Sequence, residues 1–125
     1  MKVLLDTNVL VRILNRDALP RAATRILDKP GTELIVSMVT PWEIAMKPML
    51  GLTQANVRLG IDVIGATTLP LGFSHLERYA ALPVHLDHKD PFDRMLIAQA
   101  LDEQLTVMTS GTRFEEYSGL KIVWD

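Results

Sequence analysis

The stretch HKDPFDRMLIAQALDEQ, residues 88–104, decides how this chain folds. Asp90-Pro91 reads as a helix start: an aspartate to accept from free N–H groups, then a proline already set to helical φ. Asp93 follows in the first turn, where the positive end of the helix dipole favours a carboxylate. Met95, Leu96, Ile97, Ala98, Ala100 and Leu101 then cover most of the circumference, which predicts a helix buried on several sides. Two carboxylates thus stand at the mouth of a hydrophobic rod, as caps or as chemistry.

Outward from this helix, short apolar runs alternate with helical patterns. Lys2-Val3-Leu4-Leu5 is a buried strand ending at Asp6. Thr7 and Asn8 open a helix to about Asn15, and a second starts near Pro20 and breaks at Pro30-Gly31. Leu34-Ile35-Val36 is the next strand. A helix follows from Thr40-Pro41-Trp42-Glu43 and should end or kink at Pro48. Residues 53–65 and 73–82 form further helices around a short strand at Thr67-Thr68-Leu69. After residues 90–104 come the strand Leu105–Met108, a short helix around Arg113–Tyr117, and a last strand Lys121-Ile122-Val123. This alternation predicts an α/β layer fold with a mostly parallel sheet. Ligands of such sheets sit at the carboxyl ends of the strands.

With 125 residues there is room for one domain, residues 1–125, with a real core, and not for two. A composition 48% hydrophobic and 22% charged excludes disorder as the main state. No apolar run approaches the ~20 residues a membrane helix needs. Asp6 and Asn8 interrupt the first apolar run, so a signal peptide is not expected. With no cysteine there is no disulfide framework and no thiolate zinc site, and the cytoplasm is the expected location. A formal charge of −2 argues against nucleic-acid binding by bulk positive charge. Any such contact must be local, or a metal must supply part of the charge.

The acids form a pattern. Asp6 ends the first strand, while Glu43 and Asp93 close two matching tetrapeptides, Thr-Pro-Trp-Glu and Asp-Pro-Phe-Asp. Singly, each has a structural explanation. Thr40 with Glu43 fits a capping box, Asp93 could serve Asp90 in the same way, and Asp6 could close an Asx turn. Together they are expected to share one edge of the sheet, where clustered carboxylates resist ionisation unless a cation joins them. Asp6, Glu43, Asp90 and Asp93 would form an all-oxygen site suited to Mg²⁺ or Mn²⁺.

In order and spacing, LLDTNVLVRIL, TPWEIAMK, HKDPFDRMLIAQA and VMTSGTRF resemble the motifs of the PIN domain family. Within it they look most like VapC-like ribonuclease toxins of bacterial and archaeal toxin–antitoxin pairs, over nearly the whole chain. The resemblance implies a three-layer α/β/α sandwich, Mg²⁺- or Mn²⁺-dependent cleavage of RNA by a metal-activated water, a homodimer, and inhibition by a small VapB-like antitoxin. By motif, Asp6, Glu43 and Asp93 correspond to the family's catalytic, metal-holding acids. Asp90 is the extra acid of the DPFDR pattern, and Thr7 and Asn8 support the metal shell.

One position departs from the family. Its members usually carry another Asp in the loop after the fourth strand, and here Gly111 stands there, flanked by the neutral hydroxyls of Ser110 and Thr112. This opens a second reading, a catalytically impaired PIN domain that binds RNA or antitoxin. A third is a haloacid dehalogenase-type phosphatase, since LLDTNVL offers a strand-end nucleophilic Asp, although Asn8 stands where that chemistry wants a second acid. Arg12, Arg16, Lys47, Lys89, Arg94 and Arg113 are candidates to line a path for RNA phosphates, Arg94 and Arg113 foremost, though any one reads first as a solvated surface charge. Trp42, Ala45, Met46 and Met49 form a stripe at helical spacing that predicts core, and after that an antitoxin groove. His75, His85 and His88 show no ligand spacing and read as structural or surface residues.

Overall fold

The computed structural model describes Met1–Asp125 throughout. Five short strands form one sheet: β1 (Lys2–Leu5), β2 (Glu33–Ser37), β3 (Thr67–Leu69), β4 (Thr106–Met108) and β5 (Lys121–Val123). Every pairing is parallel, and the order is β3-β2-β1-β4-β5. Six helices complete the chain: α1 (Thr7–Leu14), α2 (Arg21–Asp28), α3 (Val39–Ala45), α4 (Gln54–Val63), α5 (Phe73–Ala80) and α6 (Pro91–Glu103). No helix is long and apolar enough to cross a membrane.

Strand alternation divides the core in two. Leu4 lies opposite Ile35 and Val107 and points to one face, while Val3 and Leu5 point to the other. On the first face Leu4 and Val107 pack with Leu96, Ile97, Ala100 and Phe114. On the second, Val3, Leu5, Val36 and Met108 pack with Val9, Leu10, Val57 and Ile61. Helices on both faces of a parallel sheet make the expected three-layer α/β/α sandwich. Helix α6 is buried continuously from Arg94 to Ala100, as its apolar circumference predicts. Asp90 caps it, its Oδ1 accepting from the N–H groups of Phe92 at 2.8 Å and Asp93 at 3.2 Å.

Helix α3 departs from expectation. It starts at Val39, so Thr40 lies inside its first turn and is not a cap. The Ser37 hydroxyl takes the Val39 N–H instead, at 3.2 Å, and no capping box forms. Proline at position 48 does end the helical run, and residues Pro48–Leu50 make a single 3₁₀ turn. The Trp42, Ala45, Met46 and Met49 stripe is not core. Trp42, Met46 and Met49 are 57%, 59% and 78% exposed, and Ala45 is exposed as well. The physical reason is the helix's length: seven residues bury one face, made of Val39, Thr40, Glu43 and Ile44, and the opposite face is left to solvent.

Candidate active site at the carboxyl edge of the sheet

From β1 the chain steps outward to β2 and β3, then returns to place β4 on the other flank of β1. The switch point therefore lies between β1 and β4, where a crevice opens outside the carboxyl ends of the strands. Asp6 leaves β1 into that crevice and Thr109 leaves β4 beside it. Thr109 Oγ1 donates to Asp6 Oδ2 at 2.7 Å, and the Asp6 N–H donates to the Met108 carbonyl at 3.0 Å. Asp6 makes no side-chain cap bond to α1, so its carboxylate is not used up by capping.

A cavity of about 360 Å³ opens here. Asp6, Glu43, Asp90 and Asp93 line it, with Thr7, Asn8, Lys47, Ser110 and Gly111. Each has a local cause. Buried Thr7 begins α1 and pairs its hydroxyl with that of Thr40 in α3, at 3.0 Å, which ties two of the contributing helices together. Glu43 comes from the buried face of α3. Its Oε2 accepts from Lys47 Nζ at 2.6 Å, and its Oε1 is buried without a partner. Asp90 and Asp93 come from the start of α6.

Electrostatics separates two of these acids, Asp6 and Asp93, from ordinary surface carboxylates. Burial pushes the Asp6 carboxyl up to about 6, opposed by the bond from Thr109 and reinforced by the charges of Asp93 and Glu43. Burial also raises Asp93, against the pull of its bond to His88, and the charges of Asp90 and Glu43 add to the rise. As a set, Asp6, Glu43 and Asp93 do not bring their oxygens within 4.8 Å of one another; His75, Asp102 and Glu103 are the trio with ligand atoms that close. A hard cation fits the acidic cavity by three marks: oxygen donors only, mutual repulsion, and the unpartnered buried oxygen of Glu43. The His75 trio fits less well. His75 Nδ1 faces the Gly72 N–H at 3.0 Å and accepts from it, so Nε2 carries the proton and donates to Glu103 at 3.0 Å. A protonated nitrogen is no metal ligand, and His75 locks α5 to α6.

A line of side chains behind Asp93 carries no obvious sequence signal. Arg94 Nη1 lies 3.1 Å from the Tyr117 hydroxyl, which lies 3.0 Å from His88 Nδ1, and His88 Nε2 lies 3.2 Å from Asp93 Oδ2. Arginine can only donate. The arrangement that satisfies every group runs one way: Arg94 donates to Tyr117, Tyr117 to His88 and His88 to Asp93. His88 is thereby a structural residue that holds Asp93, one of the acids lining the cavity.

The two arginines assigned to RNA stand elsewhere. Arg94 is buried, donates also to the Pro83 carbonyl at 2.9 Å, and stacks over Tyr79 with its guanidinium 5.2 Å from the ring centre. It is a structural cation, because α6 turns it inward on its buried side. Arg113 is exposed and paired with Asp87 and Glu116, outside the cavity lining. Thr112 lines a neighbouring depression with Glu115 and Trp124. Lys47 is the cation that does line the acidic cavity. Of the residues the sequence pointed to less clearly, Thr109 is adjacent to Ser110 at the end of a strand, and that position was its signal. Tyr117 had none.

No curated protein matches the chain. Among solved structures, the fold is similar to VapBC2 from Rickettsia felis bound to a promoter DNA fragment, with TM-score 0.76 and 17% identity over 100% of both chains. It is similar to DNA-bound VapBC from Salmonella typhimurium, at TM-score 0.71 and 20% identity over 98% of this chain and 97% of that one. A third likeness is to VapBC-5 from Mycobacterium tuberculosis, a member of the VapBC family of toxin–antitoxin systems, at TM-score 0.67 and 19% identity over 99% and 98%. The PIN domain family model matches residues 3–120, and the chain therefore belongs to the PIN domain family.

Proposed function

We propose that this chain is a divalent-cation-dependent endoribonuclease, the toxin of a toxin–antitoxin pair. One observation carries the reading. Buried Glu43 keeps an unpartnered oxygen at the switch point of a parallel sheet, in a cavity it shares with Asp6, Asp90 and Asp93. Asp6, Glu43 and Asp93 would hold Mg²⁺ or Mn²⁺, with Asp90 assisting. When bound, such an ion neutralises phosphate charge and supplies a water that is nucleophilic near neutral pH.

The chain's own residues do the rest. Thr109 fixes the carboxylate of Asp6, and His88 fixes that of Asp93. The Ser110 hydroxyl and the Asn8 amide face the same cavity and can donate to phosphate oxygens. An ion at this point also reconciles a net charge of −2 with binding a polyanion.

The similarity to toxin–antitoxin assemblies supports a VapB-like antitoxin as partner. A homodimer is the proposed assembly, and an apolar groove lined by Trp42, Leu76, Phe92 and Met95 offers surface for such contact. The cytoplasm, where RNA is met, is the proposed place of action. Membership of the PIN domain family replaces the haloacid dehalogenase reading.

Gly111 favours a second reading, a domain that binds RNA or antitoxin with impaired chemistry. A Cβ at this position would meet the Phe114 ring at 3.1 Å and Thr109 Oγ1 at 3.2 Å. The wall has packed closely around the place where the family carries an acid. Mg²⁺ titration of RNA cleavage, run on this chain and on Gly111→Asp together, decides between them. Cleavage by the unsubstituted chain supports the enzyme; cleavage by Gly111→Asp alone supports the binder.

A further inference from the structure

Lys47 is the one basic residue among those lining the acidic cavity, and four carboxylates share that lining. Its backbone is placed with care. The Lys47 N–H donates to the Ile44 carbonyl at 3.0 Å, and its own carbonyl accepts from Leu50 at 3.0 Å. Pro48 biases the residue before it away from helix, and Lys47 has left helical geometry, with φ −121° and ψ 69°. The chain is held on both sides of a forced bend, and from that bend Nζ reaches Glu43 Oε2 at 2.6 Å. The two ends of the contact differ in exposure: the Glu43 side chain is 5% exposed and that of Lys47 is 44% exposed. The carboxylate is fixed, whereas the ammonium sits on a flexible stem at the solvent side.

We propose that Lys47 is a built-in counter-ion of this cavity: it covers Glu43 while no divalent cation is bound, and it contacts an RNA phosphate once one is. The proposal rests on the metal-site reading above. Two cations beside one carboxylate repel each other, so a divalent ion at Glu43 weakens the hold of the ammonium there. The released charge needs an anion, and a phosphate brought to the same cavity is one. Lys47 therefore opposes metal binding and favours RNA binding. A lysine that only pairs with Glu43 would oppose the metal but do nothing for RNA.

The test uses Mn²⁺ alone as the metal probe, followed by its electron paramagnetic resonance signal, and a single-stranded oligoribonucleotide as the RNA probe. Both are applied to the unsubstituted chain, Lys47→Met and Lys47→Gln, with folding checked by circular dichroism. Expected is a several-fold tighter Mn²⁺ affinity in both variants, together with weaker RNA binding. The slope of log affinity against log salt should shrink by about 0.7, the value for one lost phosphate contact on a single strand. The glutamine variant retains a polar amide without the charge and the methionine variant retains the apolar stem, so together they separate charge from packing. Mn²⁺ binding that is present in the unsubstituted chain and no tighter in either variant overturns the proposal alone. An unchanged salt slope overturns the RNA half of it. Absence of Mn²⁺ binding in the unsubstituted chain overturns the metal-site reading, and the proposal with it.

Discussion

Thr109 Oγ1 donates to Asp6 Oδ2 at 2.7 Å, joining residues 103 positions apart across the gap where β1 and β4 separate. The same hydroxyl oxygen accepts from the Gly111 N–H at 2.9 Å, so one side chain orients an acid and the loop beside it. Thr109→Val removes both bonds with little change of shape. It should destabilise the fold by about 1–2 kcal/mol, measured by urea denaturation. The Asp6 titration, followed by carboxyl NMR, should move further up from about 6. An unmoved titration would remove Thr109 from the account.

Asp6 also makes stability depend on pH. Its folded-state carboxyl lies near 6 against an ordinary 3.8. Between these values the folded chain binds more protons than the unfolded one, so stability falls as pH rises through that window. Asp6→Asn removes this contribution. It should be more stable than the unsubstituted chain at pH 8 by on the order of 3 kcal/mol, with a flatter pH profile from about 4 to 6, the remaining slope including that of raised Asp93. Thermal melts at pH 5 and pH 8 check it.

The line from Arg94 to Asp93 predicts a division of effects. Arg94→Met strips donors from Tyr117 and the Pro83 carbonyl, and should lower stability by about 2–3 kcal/mol without changing the salt dependence of RNA binding. His88→Phe keeps a ring against Phe114 and Tyr117, which now lie 5.9 and 5.5 Å from it between centres. It releases Asp93, and its main effect should be weaker Mn²⁺ affinity. Equal metal affinity in His88→Phe and the unsubstituted chain would deny His88 that role.

Gly111 sets the fourth prediction. Its φ of −76° suits any residue, so the obstacles to Gly111→Asp are the Phe114 ring and the Thr109 hydroxyl, not the backbone. Phe114 is 1% exposed and must give by a few tenths of an ångström. The variant should lose about 1 kcal/mol in urea denaturation and remain folded. A loss several times larger would mean that the loop is committed to its present shape.

Much of this was legible in the residues. The apolar runs at Lys2–Leu5 and Leu34–Val36, and the buried rod behind Asp90-Pro91, gave the layers because each pattern is local. Asp6, Glu43, Asp90 and Asp93 were legible as a group because strand ends and helix starts in a parallel sheet share an edge. What failed depended on packing and partners that no local pattern shows. Thr40 looked like a cap until Ser37 took that place, and the Trp42 stripe could not declare which side of a short helix faces the core. Arg94 read as an RNA contact because Tyr117, 23 residues on, is invisible from its own neighbourhood.

The central claim is that the cavity around Asp6, Glu43 and Asp93 cleaves RNA with a divalent cation. Its most direct test is RNA cleavage by Asp6→Asn in Mg²⁺, beside the unsubstituted chain and a chelator control, with the variant's fold verified by its melt. The account predicts cleavage by the unsubstituted chain, lost on chelation and abolished in the folded variant. Undiminished cleavage by folded Asp6→Asn would contradict it.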